Sequence, residues 1–217
     1  MNLTLQSATI IASLYAAMLL NAGNNPTAAN SDKGKIAERW AASVSAEQSG
    51  DFAEALNQAG AWMAASGDNY LGVLRAGWLN YSAQDYPKAA AYYAQAAKTQ
   101  PTALTPLLGL LTVAQAMGDA EKIQSSADRV LKIEPTNYKA LMAAGGALLA
   151  RGDHRKARGF YARVLAIYPE DTDAQSGAAW CSFYLGDRRE ALKAFQAIAM
   201  VNPSYPFVQE GLDLSAH

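Results

Sequence analysis

The sequence predicts an all-α protein, a solenoid of tandem helix–turn–helix repeats, and three observations predict it. Prolines recur at Pro101, Pro135, Pro169 and Pro203, each 34 residues after the one before. A second series keeps the same step: Gly50-Asp51, Gln84-Asp85, Gly118-Asp119, Gly152-Asp153 and Gly186-Asp187. Between these marks the small and apolar residues fall at helical spacing, as in Val73, Ala76 and Gly77, with polar Asn80 ending the row. Two series in one register define a structural repeat rather than a chance pattern.

The first 35 residues stand apart. No charged side chain precedes Asp32, and Ala8 to Leu20 is a short apolar run followed by polar NAGNNPTAANSDKGK. Such a run is short for a bilayer span and matches the hydrophobic segment of a secretory signal, although basic residues near the start are missing. Cleavage is expected after Ala29, with Thr27 in the −3 position, or earlier after Ala22 or Gly23. The alternative is an uncleaved amphipathic helix that caps the solenoid or anchors it to a membrane. Residues 1–35 are therefore read as a signal peptide or N-terminal anchor with a flexible linker. Export to the periplasm or cell envelope is expected, with a cytoplasmic protein as the alternative.

The repeats follow at 36–69, 70–103, 104–137, 138–171 and 172–205. Glycine at position 15 can take the left-handed conformation that ends helix A, and Asp at position 16 can cap helix B. Proline at position 32 has no amide donor and disfavours helix before it, so it closes helix B. Position 8 (Ser43, Gly77, Leu111, Gly145, Ala179) and position 20 (Ala55, Ala89, Ile123, Ala157, Ala191) are mostly small and allow close helix packing. Tyr93, Tyr161 and Phe195 supply bulk at position 24.

This pattern resembles the tetratricopeptide repeat in length and in most signature positions: small at 8, Ala at 20, aromatic at 24 and Pro at 32. The resemblance covers about 36–205 and implies a right-handed α-solenoid, with residues 206–217 as a C-terminal capping helix and tail. The tyrosine usual at position 11 is absent from every repeat. The first repeat is degenerate, with Trp62 where a smaller residue is expected and Gly67 in place of proline. The third has large Leu111 and Ile123 but small Ala120 and Ala127, so volume is exchanged rather than lost.

The resemblance also implies a concave partner-binding groove lined by helix A positions 2, 5, 9, 12 and 13. These positions select Trp40, Leu71, Leu74, Trp78, Tyr81, Leu108, Met142, Leu149, Trp180, Phe183 and Tyr184, together with more polar Lys139, Thr112 and Ser176. Clustered aromatics in a concavity mark a protein or peptide site; the alternative is that Trp78 and Trp180 pack between repeats. Leu74, Trp78, Met142 and Ala143 occupy the places where some relatives carry a carboxylate clamp, so a chaperone C-terminus is not the expected ligand. An amphipathic helix or an apolar extended segment fits better, and the Ala8–Leu20 run is itself a candidate occupant.

No catalytic chemistry is read from the chain, and no cofactor or metal is expected. Cys181 is alone and reads as a small buried side chain. His154 follows a turn, and His217 is the last residue. The basic group Arg151, His154, Arg155, Lys156 and Arg158 reads as a solvated edge or, more sharply, as a contact for an anionic partner. A formal net charge of −1 argues against nucleic acid, which demands a basic face. The expected function is a non-catalytic scaffold for a protein or peptide, with self-association through the same surface as the alternative. A membrane partner follows only if the N-terminal segment is retained.

Overall fold

The computed structural model describes residues 28–216. The Ala8–Leu20 run lies outside the described residues. Eleven helices and no strand occur among the described residues: α1 Ala28–Gln48, α2 Phe52–Ser66, α3 Asn69–Ser82, α4 Tyr86–Thr99, α5 Leu104–Ala116, α6 Ala120–Ile133, α7 Tyr138–Ala150, α8 His154–Leu165, α9 Thr172–Tyr184, α10 Arg188–Val201 and α11 Val208–Ala216. The fold is thus all-α, with a terminal helix after the fifth helix pair. One difference from the sequence reading lies at the start. Helix α1 begins at Ala28, inside the stretch read as a flexible linker, because no proline falls between Pro26 and Pro87 to stop it.

The turns inside each pair are built alike. At all five, the Asp amide reaches back to the carbonyl of position 11, from Asp51 N to Ala46 O at 2.9 Å through Asp187 N to Ser182 O at 2.9 Å. This is the six-to-one closure of a helix that ends in a left-handed residue. Gly50, Gly118, Gly152 and Gly186 supply that residue with φ between 66° and 89°, and Gln84 adopts φ 62° in the second repeat without being glycine. The carboxylates of Asp51, Asp85, Asp119 and Asp153 then accept the amide three residues on and cap the next helix. Asp187 makes no such cap; its Oδ2 instead accepts from Arg158 at 3.2 Å.

Two compact bodies divide the chain, residues up to Tyr92 and residues from Tyr93. In the N-terminal body α1 packs on α2 and α2 on α3, around Ala55, Ala59 and Leu79 with Phe52, Leu56 and Trp78 beside them. In the C-terminal body each helix from α5 to α11 packs on the next. In addition α5 touches α7, α7 touches α9 and α9 touches α11, so the A helices form a continuous row.

The spacing of that row is set by rings lying on glycines. A methyl group built on Gly177 of α9 would lie 2.4 Å from the Tyr161 ring, and one on Gly145 of α7 would lie 3.0 Å from it. Tyr93 meets Gly109 in the same way at 2.6 Å, and Phe195 meets Gly211 at 2.5 Å. Each ring has one partner glycine, Gly109, Gly177 or Gly211, at position 6 of the following helix. Where position 24 holds Ala127, position 6 holds Ala143, and both are buried in one cluster with Leu111. The larger Leu111 fills what the missing ring leaves, so the exchanged volumes of the third repeat pack into a single core.

Gly177→Ala is expected to cost about 1–3 kcal/mol by overpacking against Tyr161. Gly159→Ala, which meets nothing within 4 Å in the middle of α8, is expected to stabilise by up to about 1 kcal/mol. Gln84→Gly is expected to add about 1 kcal/mol by relieving the left-handed conformation. Urea unfolding followed by circular dichroism measures all three.

Candidate functional site

Helix A of each repeat carries side chains that the core only half covers. In the N-terminal body these are Trp40 on α1 and Leu71, Leu74, Trp78 and Tyr81 on α3, each partly buried. Trp40 meets Trp62 edge-on, with ring centroids 4.8 Å apart, and the Arg75 guanidinium sits 5.6 Å above the Trp40 ring. Trp78 and Tyr81 are neighbours at 5.9 Å, and Tyr81 continues to Tyr86 at 5.8 Å.

Beneath these rings runs a polar network that the sequence reading did not foresee. Arg75 donates to Ser43 Oγ from Nε and Nη2, both at 3.2 Å, and pairs with Glu47. Ser43 Oγ donates in turn to the Ala55 carbonyl at 2.8 Å, and the second oxygen of Glu47 accepts the Trp78 indole N–H. Arg75 and Ser43 are buried, so each charge and hydroxyl needs these partners. Arg75 stands at position 6, where the other repeats place Gly or Ala, and that break in register was the available signal. Trp78 is therefore held from below while part of its ring faces outward.

In the C-terminal body the row of A helices presents Leu108 from α5, Met142 and Leu149 from α7, and Trp180, Phe183 and Tyr184 from α9. The first five are half-buried and Tyr184 is 54% exposed. Trp180 packs edge-on against the core ring of Phe195 at 5.0 Å, touches Phe183 at 5.8 Å and lies nearly parallel to Tyr184 at 5.9 Å. His154 stacks on Tyr184 at 4.6 Å, and Arg188 lies 5.1 Å above Phe183. His154 is thus half-buried in an aromatic shelf rather than a bare turn residue. Lys139 Nζ donates to Thr112 Oγ1 at 2.6 Å and ties α7 to α5 beside Leu108. Ser176, selected by the position rule, is buried and not available on this face, because α9 turns its side chain inward beside Gly177 and Ala174.

The linkers that join one repeat to the next frame two adjoining cavities. One, of about 600 Å³, is lined by Tyr138, Ile167, Tyr168, Pro169, Glu170 and Asp171. The other, of about 540 Å³, shares Tyr138, Ile167 and Tyr168 and adds Leu108, Glu134 and Lys139 among others. Of the eleven predicted partner residues only Leu108 borders them. Elsewhere the basic group is largely spoken for: Lys156 pairs with Asp153 at 2.7 Å, and Arg158 with Asp187 and Glu190 at 3.2 and 3.8 Å. Burial pushes the Cys181 thiol up to about 11, far from a reactive thiolate. Among the described residues no three His, Cys, Asp or Glu side chains are placed to hold a metal, and no helix is long and apolar enough to cross a membrane.

Comparison with known proteins agrees with this architecture. The sequence model of the tetratricopeptide repeat matches residues 114–181 and 148–210. A tetratricopeptide repeat protein from Parabacteroides merdae superposes with a TM-score of 0.74 at 19% identity, over 83% of this chain and 72% of that one. MamA from Desulfovibrio magneticus superposes at 0.69 and 15% identity, over 79% of this chain and 97% of that one. YrrB, described as a TPR protein with an unusual peptide-binding site, gives 0.68 at 15% identity, over 81% and 90%. A search of curated proteins finds no match.

Glu47→Ala is expected to destabilise the N-terminal body by about 3 kcal/mol, because it strands the buried Arg75 charge. The paired change Glu47→Leu with Arg75→Met removes both charges and is expected to cost much less. Urea titration of the single and double variants checks the order.

Proposed function

We propose that this chain, which carries tetratricopeptide repeats over 114–210 and superposes on a tetratricopeptide repeat protein, is a non-catalytic scaffold that holds an apolar peptide or amphipathic helix on its A-helix face. The carrying observation is the aromatic shelf of the C-terminal body, where Tyr184, Trp180 and Phe183 adjoin one another with outward-facing ring surface. Aromatic rings bury much area at small entropic cost, which is why they dominate interface energetics. Aliphatic Leu108, Met142 and Leu149 extend the same row of helices, and Met adapts readily to varied partners. A peptide-binding site in the structurally similar YrrB supports the same use here. Trp40, Leu71, Leu74, Trp78 and Tyr81 form the corresponding patch of the N-terminal body.

The uncharged start of the chain and its Ala8–Leu20 run support an exported protein, working in the periplasm or cell envelope. N-terminal sequencing of the native protein is expected to begin after Ala22, Gly23 or Ala29; an intact Met1 or Asn2 would overturn export by a cleaved signal.

A second reading is homo-oligomerisation, favoured by Met200, Val201 and Phe207, which leave 87%, 84% and 68% of their surface uncovered at the C-terminal end. One set of variants separates the two. Trp180 supports Phe195 in the core, so its truncation confounds folding with binding; Tyr184 is the cleaner handle. Crosslinked pull-down from an envelope fraction is expected to recover a partner with wild type and with Tyr184→Phe. Tyr184→Ser is expected to lose it by at least about thirtyfold, the scale of an interface hot spot. Equal recovery by all three sinks the shelf as the binding face. Recovery of this same chain alone, with a mass that rises with concentration in light scattering, selects self-assembly instead.

A further inference from the structure

The larger linker cavity combines two perpendicular aromatic walls with a carboxylate that no cation neutralises. Tyr138 and Tyr168 meet at 84° with ring centroids 5.8 Å apart, and Ile167 and Pro169 complete the apolar lining. Tyr138 is pinned in place, because its hydroxyl donates to Asp171 Oδ2 at 2.9 Å. Asp171 is also fixed, since Oδ1 caps α9 by accepting from Ala174 N at 2.7 Å. Burial, together with that bond to Asp171, pushes the Tyr138 hydroxyl up to about 12. The ring therefore stays neutral and its face keeps the negative quadrupole of a phenol.

The charge around this cavity is one-sided. Glu170 and Asp171 line it and no cation does. Glu170 is exposed, and its side chain takes part in no described ion pair or hydrogen bond. The nearby cations are engaged elsewhere: Lys139 donates to Thr112, and Arg163 donates to the Pro135 carbonyl at 2.6 Å while lying 5.5 Å above Phe160. The positive end of α9, which would favour an anion, is already occupied by its Asp171 cap. The linker follows the C-terminal end of α8, whose carbonyls favour a cation.

We infer that this cavity receives an arginine side chain of a partner protein, with the guanidinium plane against the Tyr168 ring, its N–H edge toward the face of Tyr138 and its fork on Glu170. Arginine suits the place better than lysine, because a flat, weakly hydrated cation can stack on the face of one ring, turn its N–H edge to the face of the other and bond a carboxylate at once. The site is distinct from the aromatic shelf, although the second cavity reaches Leu108 of the A-helix face. It would add recognition of a positive charge to a largely apolar surface.

The probe is acetyl-Gly-Arg-Gly-amide, titrated into the full chain while the Tyr138 and Tyr168 ring resonances are followed by NMR. Saturable shifts in the millimolar range are expected. The citrulline peptide, equal in shape but uncharged, is expected to bind at least about fivefold more weakly, as are Tyr168→Ala and Glu170→Gln. Tyr168→Phe is expected to retain the response. Both positions are exposed, and circular dichroism of each variant checks that it folds. Tyr184→Ser is expected to leave this titration unchanged, so failure here and failure of the shelf are separable. Shifts that never saturate, or equal binding of the arginine and citrulline peptides, overturn the assignment.

Discussion

The contact of the Tyr161 ring with the bare backbone of two helices governs the geometry of the C-terminal body. Gly145 belongs to the same repeat as Tyr161 and Gly177 to the next, so a single ring fixes the spacing both within a repeat and between repeats. No other residue type would leave room, since any Cβ at Gly177 would fall well inside van der Waals distance of the ring. A ring lying on backbone gains many dispersion contacts and fixes the approach of two helices with little side-chain entropy to lose. Tyr93 on Gly109 and Phe195 on Gly211 repeat the arrangement along the chain. Because α7, α9 and α11 are set at these distances, and α5 docks on α7 through the Ala127–Ala143 core, their outward side chains form a continuous row rather than separate ridges.

The exceptions show that the ring is one solution to a volume constraint. Between the third and fourth repeats Ala127 and Ala143 replace ring and glycine, and Leu111 makes up the volume from the other helix. In the first repeat Ala59 stands at the ring position and Arg75 follows at the glycine position, and the space is organised by charge. A buried Arg–Glu pair needs both ions and the Ser43 hydroxyl in place, and it gains geometric definition at a desolvation cost that an apolar core would not carry. The N-terminal body thus holds Trp78 by the directional bond its indole N–H donates to Glu47, whereas the C-terminal body holds Trp180 by packing on Phe195.

What the sequence disclosed follows from how local each determinant is. The Gly-Asp turns and closing prolines act within a few residues of themselves, so helix ends were legible, and even Gln84 could be placed in its turn by register alone. The start of α1 was misread because a polar, glycine-containing segment lacks a stop signal rather than carrying a start signal. Helix periodicity could place Trp180, Phe183 and Tyr184 on helix A, but it could not say how their surface divides between core and solvent. That division depends on Phe195 and His154, distant in sequence. The linker cavity was invisible for a related reason. Tyr138 opens one repeat and Tyr168 closes it, and only the return of the chain after two helices brings them into contact.

The half-buried state of the A-helix residues bears directly on how binding can arise in such a fold. Each repeat must cover its aromatic positions partly, or the helices would not stack, and must leave part uncovered, or no face would remain. If the A-helix face binds as proposed, packing energy and binding energy come from different atoms of the same side chains, and truncation of Trp180 or Trp78 would remove both. Tyr184 largely escapes this coupling because it stands at the last turn of α9, 54% exposed, and its ring neighbours His154, Trp180 and Phe183 lie outside the fully buried core. The linkers escape it altogether. Their residues sit between helices whose packing is already complete, so Tyr168 and Glu170 can differ without disturbing the ring-on-glycine spacing. On the proposed function, partner-selecting chemistry can then concentrate at helix ends and linkers, while the A-helix row supplies a common apolar platform.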